Sequence, residues 1–223
     1  MNNFINVMLS FILFPTMLIA IYVGMDMPLT FLKTTGQYLP YKFEIFLGIG
    51  IFILVLLLRR SVKRWMGMNI VTKTKRFKWN ASVSKARKKR ILTYQVLEAI
   101  IMLCAAIALY TVAKEAWAPA LAFGFGVVDN IIFAIVGVLR DGFRIGLSSK
   151  ALIVADREVT LLYFSGLRKV SVQQESIYFD YIKDLQLSFP SNCIEESTKK
   201  DFLTQLEAEM DSDKVYFSKN LGE

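Results

Sequence analysis

Two carboxylates and an amide stand where a chain can least accommodate them. Asp129 and Asn130 lie in the apolar stretch GFGVVDNIIFAIVG, about ten residues from either end of the run 120–139. Glu98 lies about seven residues into another apolar run, 91–113. A carboxylate held at such depth in hydrocarbon costs roughly 2.5–3.5 kcal/mol on insertion scales, so it turns toward a helix neighbour, a partner or water. At 1.5 Å per residue, Glu98 is roughly 11 Å and Asp129 roughly 15 Å from the same side of the bundle. If the two runs form a hairpin, the carboxyls can approach, and close carboxyls share a proton because both cannot easily ionise. The chemistry this suggests is an ion or proton path through Asp129, with Asn130 and Glu98 beside it. The alternative is that these groups are protonated and hydrogen-bond a neighbouring helix.

Little else in the sequence carries chemistry. The chain has no histidine, which excludes His-based acid–base catalysis, His-containing triads and His metal ligands. Its two cysteines, Cys104 and Cys193, give neither metal-ligand spacing nor a disulfide framework. No nucleophile is accompanied by a base, and Gly124-Phe125-Gly126 inside an apolar run is no phosphate loop. Asp156, Asp180 and Asp184 read as turn carboxylates. No cofactor or metal is expected, and the chain reads as non-enzymatic. A lipid-modifying enzyme ranks last among the possible readings, since it would lack a nucleophile.

The elements that position Asp129 are long and apolar. Of 223 residues 54% are hydrophobic, concentrated in the first 140. Four runs, 7–24, 43–58, 91–113 and 120–139, predict transmembrane helices. The first lacks a basic leader and is too long for a signal peptide, so it reads as a retained span that Pro15 kinks. Ala120 with Gly124, and Ala122 with Gly126, are small residues at spacing four that let helix backbones pack closely.

Between the second and third runs lies segment 59–90, with thirteen Lys or Arg and no Asp or Glu. Lys and Arg are retained on the cytoplasmic side during insertion, which orients the chain with both termini inside. The segment is expected to meet anionic lipid headgroups through Arg59, Arg60, Lys63, Arg64, Lys73, Lys75, Arg76, Lys78, Lys85, Arg87, Lys88, Lys89 and Arg90, with Trp65 and Trp79 at the interface. A nucleic-acid partner is not expected for a basic loop between spans. Asn80-Ala81-Ser82 matches a glycosylation acceptor that has no meaning on that side.

Residues 141–223 form a second domain with eleven basic and fourteen acidic side chains in 140–223. Stretch 151–164 is β-branched and aromatic, and 168–174, 176–182 and 185–189 alternate apolar with polar, which predicts an antiparallel meander. Lys183-Asp184 reads as a turn and Pro190 as a strand end. A helix over 198–210 follows, N-capped by Ser197, with Phe202, Leu203, Leu206 and Met210 on one face. Segment 214–221 is a possible last strand.

The fold class expected is therefore an α-helical membrane protein of four spans with a small cytoplasmic α+β domain. The strand, Asp-containing turn and strand of Leu152-Ile153-Val154-Ala155-Asp156-Arg157-Glu158-Val159, with the later helix around Phe202, Leu203 and Leu206, resemble the PH-like domains at the ends of small bacterial membrane proteins. The resemblance implies a binding or scaffolding module without catalysis. The setting expected for the whole chain is a bacterial inner membrane, with a membrane-protein partner or further copies of the chain. An oligomeric channel or proton-linked transporter using Asp129 is the competing expectation.

Overall fold

A computed structural model describes residues 2–29, 33–173, 176–182, 185–210 and 215–218. Four long helices are present: α1 (Asn2–Gly24), α2 (Lys42–Val71), α3 (Lys85–Val112) and α4 (Trp117–Leu139). All four are long and apolar enough to cross a membrane. A two-residue hairpin pairs β1 (Pro28–Leu29) with β2 (Thr34–Thr35) between α1 and α2. The chain divides into two compact units, Met1–Lys63 with Tyr94–Ala134, and Arg64–Thr93 with Ile135–Glu223.

The first unit is helical. Its interior holds Phe46, Ile53, Leu57, Leu109, Phe123 and Val127 among small residues such as Ala20, Ala113, Ala116 and Ala122. Its outer surface is equally apolar: Phe11 is 79% and Leu121 65% exposed, with Ile100, Ile107 and Val128 also outward. A contiguous apolar exterior of this kind suits hydrocarbon rather than water. Small residues fix the close contacts. A Cβ on Gly50 would lie 2.7 Å from the Ala118 carbonyl carbon, and one on Gly126 would lie 2.7 Å from Met102 Sδ. Ala120 and Ala122 are buried, whereas Gly124 has open space around it.

The second unit is built from two sheets and a helix. One sheet has the order β3-β4-β5-β6: β3 (Trp79–Ser82), β4 (Arg144–Leu147), β5 (Ala151–Ala155) and β6 (Val159–Tyr163), all antiparallel. The other pairs β7 (Leu167–Gln173), β8 (Ser176–Tyr181) and β9 (Gln186–Pro190) in an antiparallel meander, with β10 (Tyr216–Ser218) parallel to β7. Alternation holds here: Val170 and Val172, then Ile177 and Phe179, then Phe189 point into the core. Leu185, expected on the same face, precedes β9 and is exposed. Helix α5 (Glu196–Ala208) buries Phe202, Leu203 and Leu206 as its spacing predicts. Its N-cap is Glu195 rather than Ser197, and Met210, expected on the same face, lies past the helix end and is half-buried. The expected Lys183-Asp184 turn lies outside the described residues, as do 214 and 219–221, while β10 supplies the last strand expected in 214–221.

The basic segment 59–90 is largely ordered by secondary structure. Helix α2 runs through it as far as Val71, a short 3-10 turn covers Thr74–Arg76, β3 follows, and α3 begins at Lys85. Residues 141–223 thus complete their sheet with a strand that precedes α3 and α4 in the sequence.

Candidate functional site

The polar residues of the helical unit come from three helices. Glu98 on α3 accepts a two-pronged ion pair from Arg60 on α2, with Arg60 Nη2 2.7 Å from Glu98 Oε2 and Nη1 on Oε1. Such fork-to-fork pairing fixes both side chains. Asp129 on α4 accepts a 2.7 Å hydrogen bond from the Ser61 hydroxyl on α2. Asn130, 1% exposed, directs its amide Nδ2 at Met102 Sδ, 3.9 Å away. Both carboxylates expected to face one another therefore have partners on α2, where adjacent residues Arg60 and Ser61 each meet one of them.

Arg60 departs from its expected place at the headgroups. It is 2% exposed and turned inward, and Arg64 one turn later is equally buried. The reason is the stripe they occupy. Phe46, Gly50, Ile53, Leu57, Arg60, Arg64, Met68 and Val71 follow at three- and four-residue steps, and all are buried. A cation on that stripe enters the interior when a carboxylate such as Glu98 is there to receive it.

Gln95 is the polar residue that sequence reasoning passed over. It is 1% exposed, one turn before Glu98 on α3, and among the described residues neither its amide oxygen nor its amide nitrogen has a hydrogen-bond partner. Its signal was positional: Ile91, Gln95, Ala99 and Met102 form the buried stripe of α3. Leaving both atoms of a buried amide unpaired costs on the order of 1–3 kcal/mol each.

The other cations of segment 59–90 separate into two sets. Arg87 binds Asp156 at 2.6 Å, and Lys88 binds Asp141 at 2.9 Å. Arg59, Lys73, Lys75, Arg76, Lys78, Lys85, Lys89 and Arg90 are exposed, and Lys63 is half-buried. The aromatics face in. Trp65 is half-buried, Trp79 stacks edge-on against Phe202 with centroids 4.9 Å apart, and the Phe77 ring covers Gly146.

Inside the sheet unit a polar lattice joins the helix ends to the strands. Asn80 on β3 donates to the Val71 carbonyl at the end of α2 (2.9 Å) and accepts from Arg144 Nε on β4 (2.6 Å). Arg144 Nη1 also reaches Asp141 (2.6 Å), which accepts from Ser82 on β3 and from Lys88 on α3. Ser84 Oγ donates to the Asn192 carbonyl ahead of α5 (2.7 Å). Burial opposes ionisation of Asp141, but the Ser82 hydroxyl and the Lys88 and Arg144 cations outweigh it and hold the carboxyl below its ordinary value. Burial likewise pushes the Cys193 thiol up to about 11, leaving it protonated and inert. Among the described residues Asp180 meets the Gln186 amide, and Asp156 meets Arg87 and the Glu158 backbone N–H, the bonds of turn carboxylates. Among the described residues no cluster of His, Cys, Asp or Glu could hold a metal ion.

No protein-family model, curated protein or solved structure matches the chain.

Proposed function

We propose that this chain is a four-span protein of a bacterial inner membrane whose sheet unit, PH-like and cytoplasmic, binds a protein partner or regulates a membrane assembly without catalysing a reaction. The observation that carries this reading is the placement of β3 and β4. They are adjacent antiparallel strands, yet α3 and α4 lie between them in the sequence. A sheet cannot pair across hydrocarbon, where unpaired backbone groups are prohibitively costly. Lys85 and Leu139 are therefore on one side, which supports a two-span hairpin and, with the basic segment, a cytoplasmic sheet unit. The strand count supports the PH-like resemblance: β3 joins β4–β6 in one antiparallel sheet, β7–β9 form the second, and α5 follows. The lattice from Val71 through Asn80, Arg144 and Asp141 to Lys88 gives a ligand on the sheets a route to α2 and α3.

Topology is tested by thiol labelling of intact cells in a Cys104→Ser background. An impermeant reagent labels Tyr38→Cys and leaves Lys75→Cys unlabelled; the reverse pattern overturns the orientation. Function is tested by in-membrane cross-linking of the full chain. Wild type yields a partner or self adduct that Gly146→Val loses, because a side chain there would strike the Phe77 ring that packs 2.6 Å from the Cβ position. No adduct of either kind defeats the reading.

A second reading draws on Gln95. A buried amide with unpaired atoms, one turn from the Arg60–Glu98 pair, favours a hydrated path past Asp129. Proton and cation flux in proteoliposomes, wild type beside Asp129→Asn, separates the two. The first reading expects no flux from either protein, and the second expects flux that the substitution abolishes.

A further inference from the structure

Strand β10 covers the outer edge of β7 unlike any other strand in the sheet unit. It runs parallel to β7, with Tyr216 beside Lys169, Phe217 beside Val170 and Ser218 beside Ser171. Among the described residues every other strand pair is antiparallel. Strand β7 has seven residues and β10 three, so both ends of the β7 edge extend past their cover.

The hold on β10 is slight. Tyr216 is 67% exposed, and Phe217 and Ser218 are only half-buried. The Tyr216 ring centroid lies 5.9 Å from Lys169 Nζ, at the outer limit of a cation–π contact. Parallel pairing is also slightly less stable per residue than antiparallel pairing. Strand β7 itself is firm. Val170 and Val172 are buried in the core, and β8 pairs along its other side. A fixed strand under a lightly held cover is suited to strand addition, in which main-chain bonds supply affinity and alternate side chains supply choice.

The cover also defines the chemistry of what fits. An occupant must offer alternating amide donors and acceptors, which neither a lipid nor a nucleic acid does. It must set an aromatic ring near Lys169 and an apolar side chain beside Val170, as Tyr216 and Phe217 do. A longer segment pairs in addition with the part of the β7 edge that β10 leaves open, and so displaces it. We propose that the outer edge of β7 takes an extended segment of a partner protein, parallel to β7 and carrying such an aromatic–apolar pair, and that β10 closes this edge until the partner arrives. This deepens the partner-binding reading above and rests on it. Closure reduces apparent affinity by the fraction of chains whose edge is open, so an edge open about one-tenth of the time binds roughly tenfold more weakly.

The test uses the full chain in phosphatidylcholine nanodiscs. The probe is a fluorescent peptide, Val-Tyr-Phe-Ser-Val-Thr-Val, which repeats residues 215–218 and extends them to reach Val172 and beyond. Phe217→Asp weakens the cover and is expected to bind the probe about tenfold more tightly than wild type. Lys169→Cys/Tyr216→Cys in a Cys104→Ser background places two thiols on paired residues. Oxidation locks β10 in place and is expected to reduce probe binding by at least about tenfold, and reduction restores it. Phe217→Asp binding no more tightly than wild type overturns the proposal, as does equal binding to the oxidised and reduced pair. A probe with Asp in place of its Phe that binds equally well also overturns it. Oxidation that yields a dimer in place of a cross-linked single chain makes a second copy the occupant and overturns the partner. If the edge fails these tests while the in-membrane adduct still forms, the partner-binding reading stands and only the β7 site falls. Loss of the adduct as well defeats both.

Discussion

At the scale of single residues, the Arg60–Glu98 pair is the feature with the clearest energetic sign. Glu98→Ala leaves the Arg60 guanidinium, 2% exposed, without its anion. Removing one member of a buried pair costs about 3–5 kcal/mol, and partial exposure of Glu98 puts the expected loss at about 3 kcal/mol. Arg60→Leu with Glu98→Leu recovers most of it, since a well-packed apolar pair replaces a buried ionic one with little penalty. Denaturant-induced unfolding in bicelles reads both numbers. Asp141 gives a pH signature of opposite reach. Its carboxyl is depressed in the folded chain, so its stabilisation is complete above the ordinary carboxylate value and disappears as pH falls through the folded one. Melts of wild type between pH 5 and pH 3, near the ordinary value of about 4, show an acid-side loss that is smaller in Asp141→Asn. The sequence exposed Asp129 and Glu98 by depth alone. It hid Ser61 and Gln95, whose types are common in helices, and it hid the inward turn of Arg60. A basic residue at the end of an apolar run has the same appearance whether it snorkels or pairs, and only the continuation of the 46-53-57 stripe into 60 and 64 distinguishes them.

At the scale of elements, backbone proximity ranks the small residues that composition treats alike. Gly50→Ala forces a Cβ within 2.8 Å of Ala118 and Pro119 backbone atoms, which cannot rotate away. It is expected to destabilise the helical unit by about 2 kcal/mol. Gly124→Ala meets nothing within 4 Å and is expected to change stability by less than about 0.5 kcal/mol. Thermal melts of the two variants in one detergent check the order. The apolar runs announced all four helices because nothing else fills eighteen apolar residues. Strands β7, β8 and β9 were visible by alternation. Strands β3 and β4 were not, because WNAS and RIGL are four residues each, set among Lys and Arg, and too short for a period of two to register. The continuation of α2 to Val71 was hidden for a related reason: from Arg64 onward the helix belongs to the sheet unit, where Gly67 meets Val159 and Met68 meets Gly142, and so needs no apolar run.

At the scale of the whole molecule, the division of the chain is the finding with most practical weight. A fragment of residues 141–223 carries β4 without the strand that covers its edge. Expressed alone, it is expected to aggregate through that edge. Joining residues 72–84 to it through a short Gly-Ser linker restores the β3–β4 ladder and is expected to give a soluble, cooperatively melting domain. Gel filtration and circular dichroism of the two fragments decide the matter, and equal behaviour would show β3 to be dispensable. Composition could not reveal this dependence, since it separates an apolar half from a polar half at about residue 140 and the fold reaches back across that boundary for β3.

The same interruption sets a clock during synthesis. Ser82 leaves the ribosome sixty-two residues before its partner Arg144. At about 5–20 residues per second the wait is roughly 3–12 seconds, long compared with the microseconds of hairpin closure. Throughout it the edge of Trp79–Ser82 is open, and Lys73, Lys75, Arg76 and Lys78 are already in place ahead of it. Charge beside an unpaired edge repels a second copy of the same edge. Four cations next to the open strand are expected to disfavour edge-to-edge pairing with a second nascent copy until Arg144–Leu147 has been made.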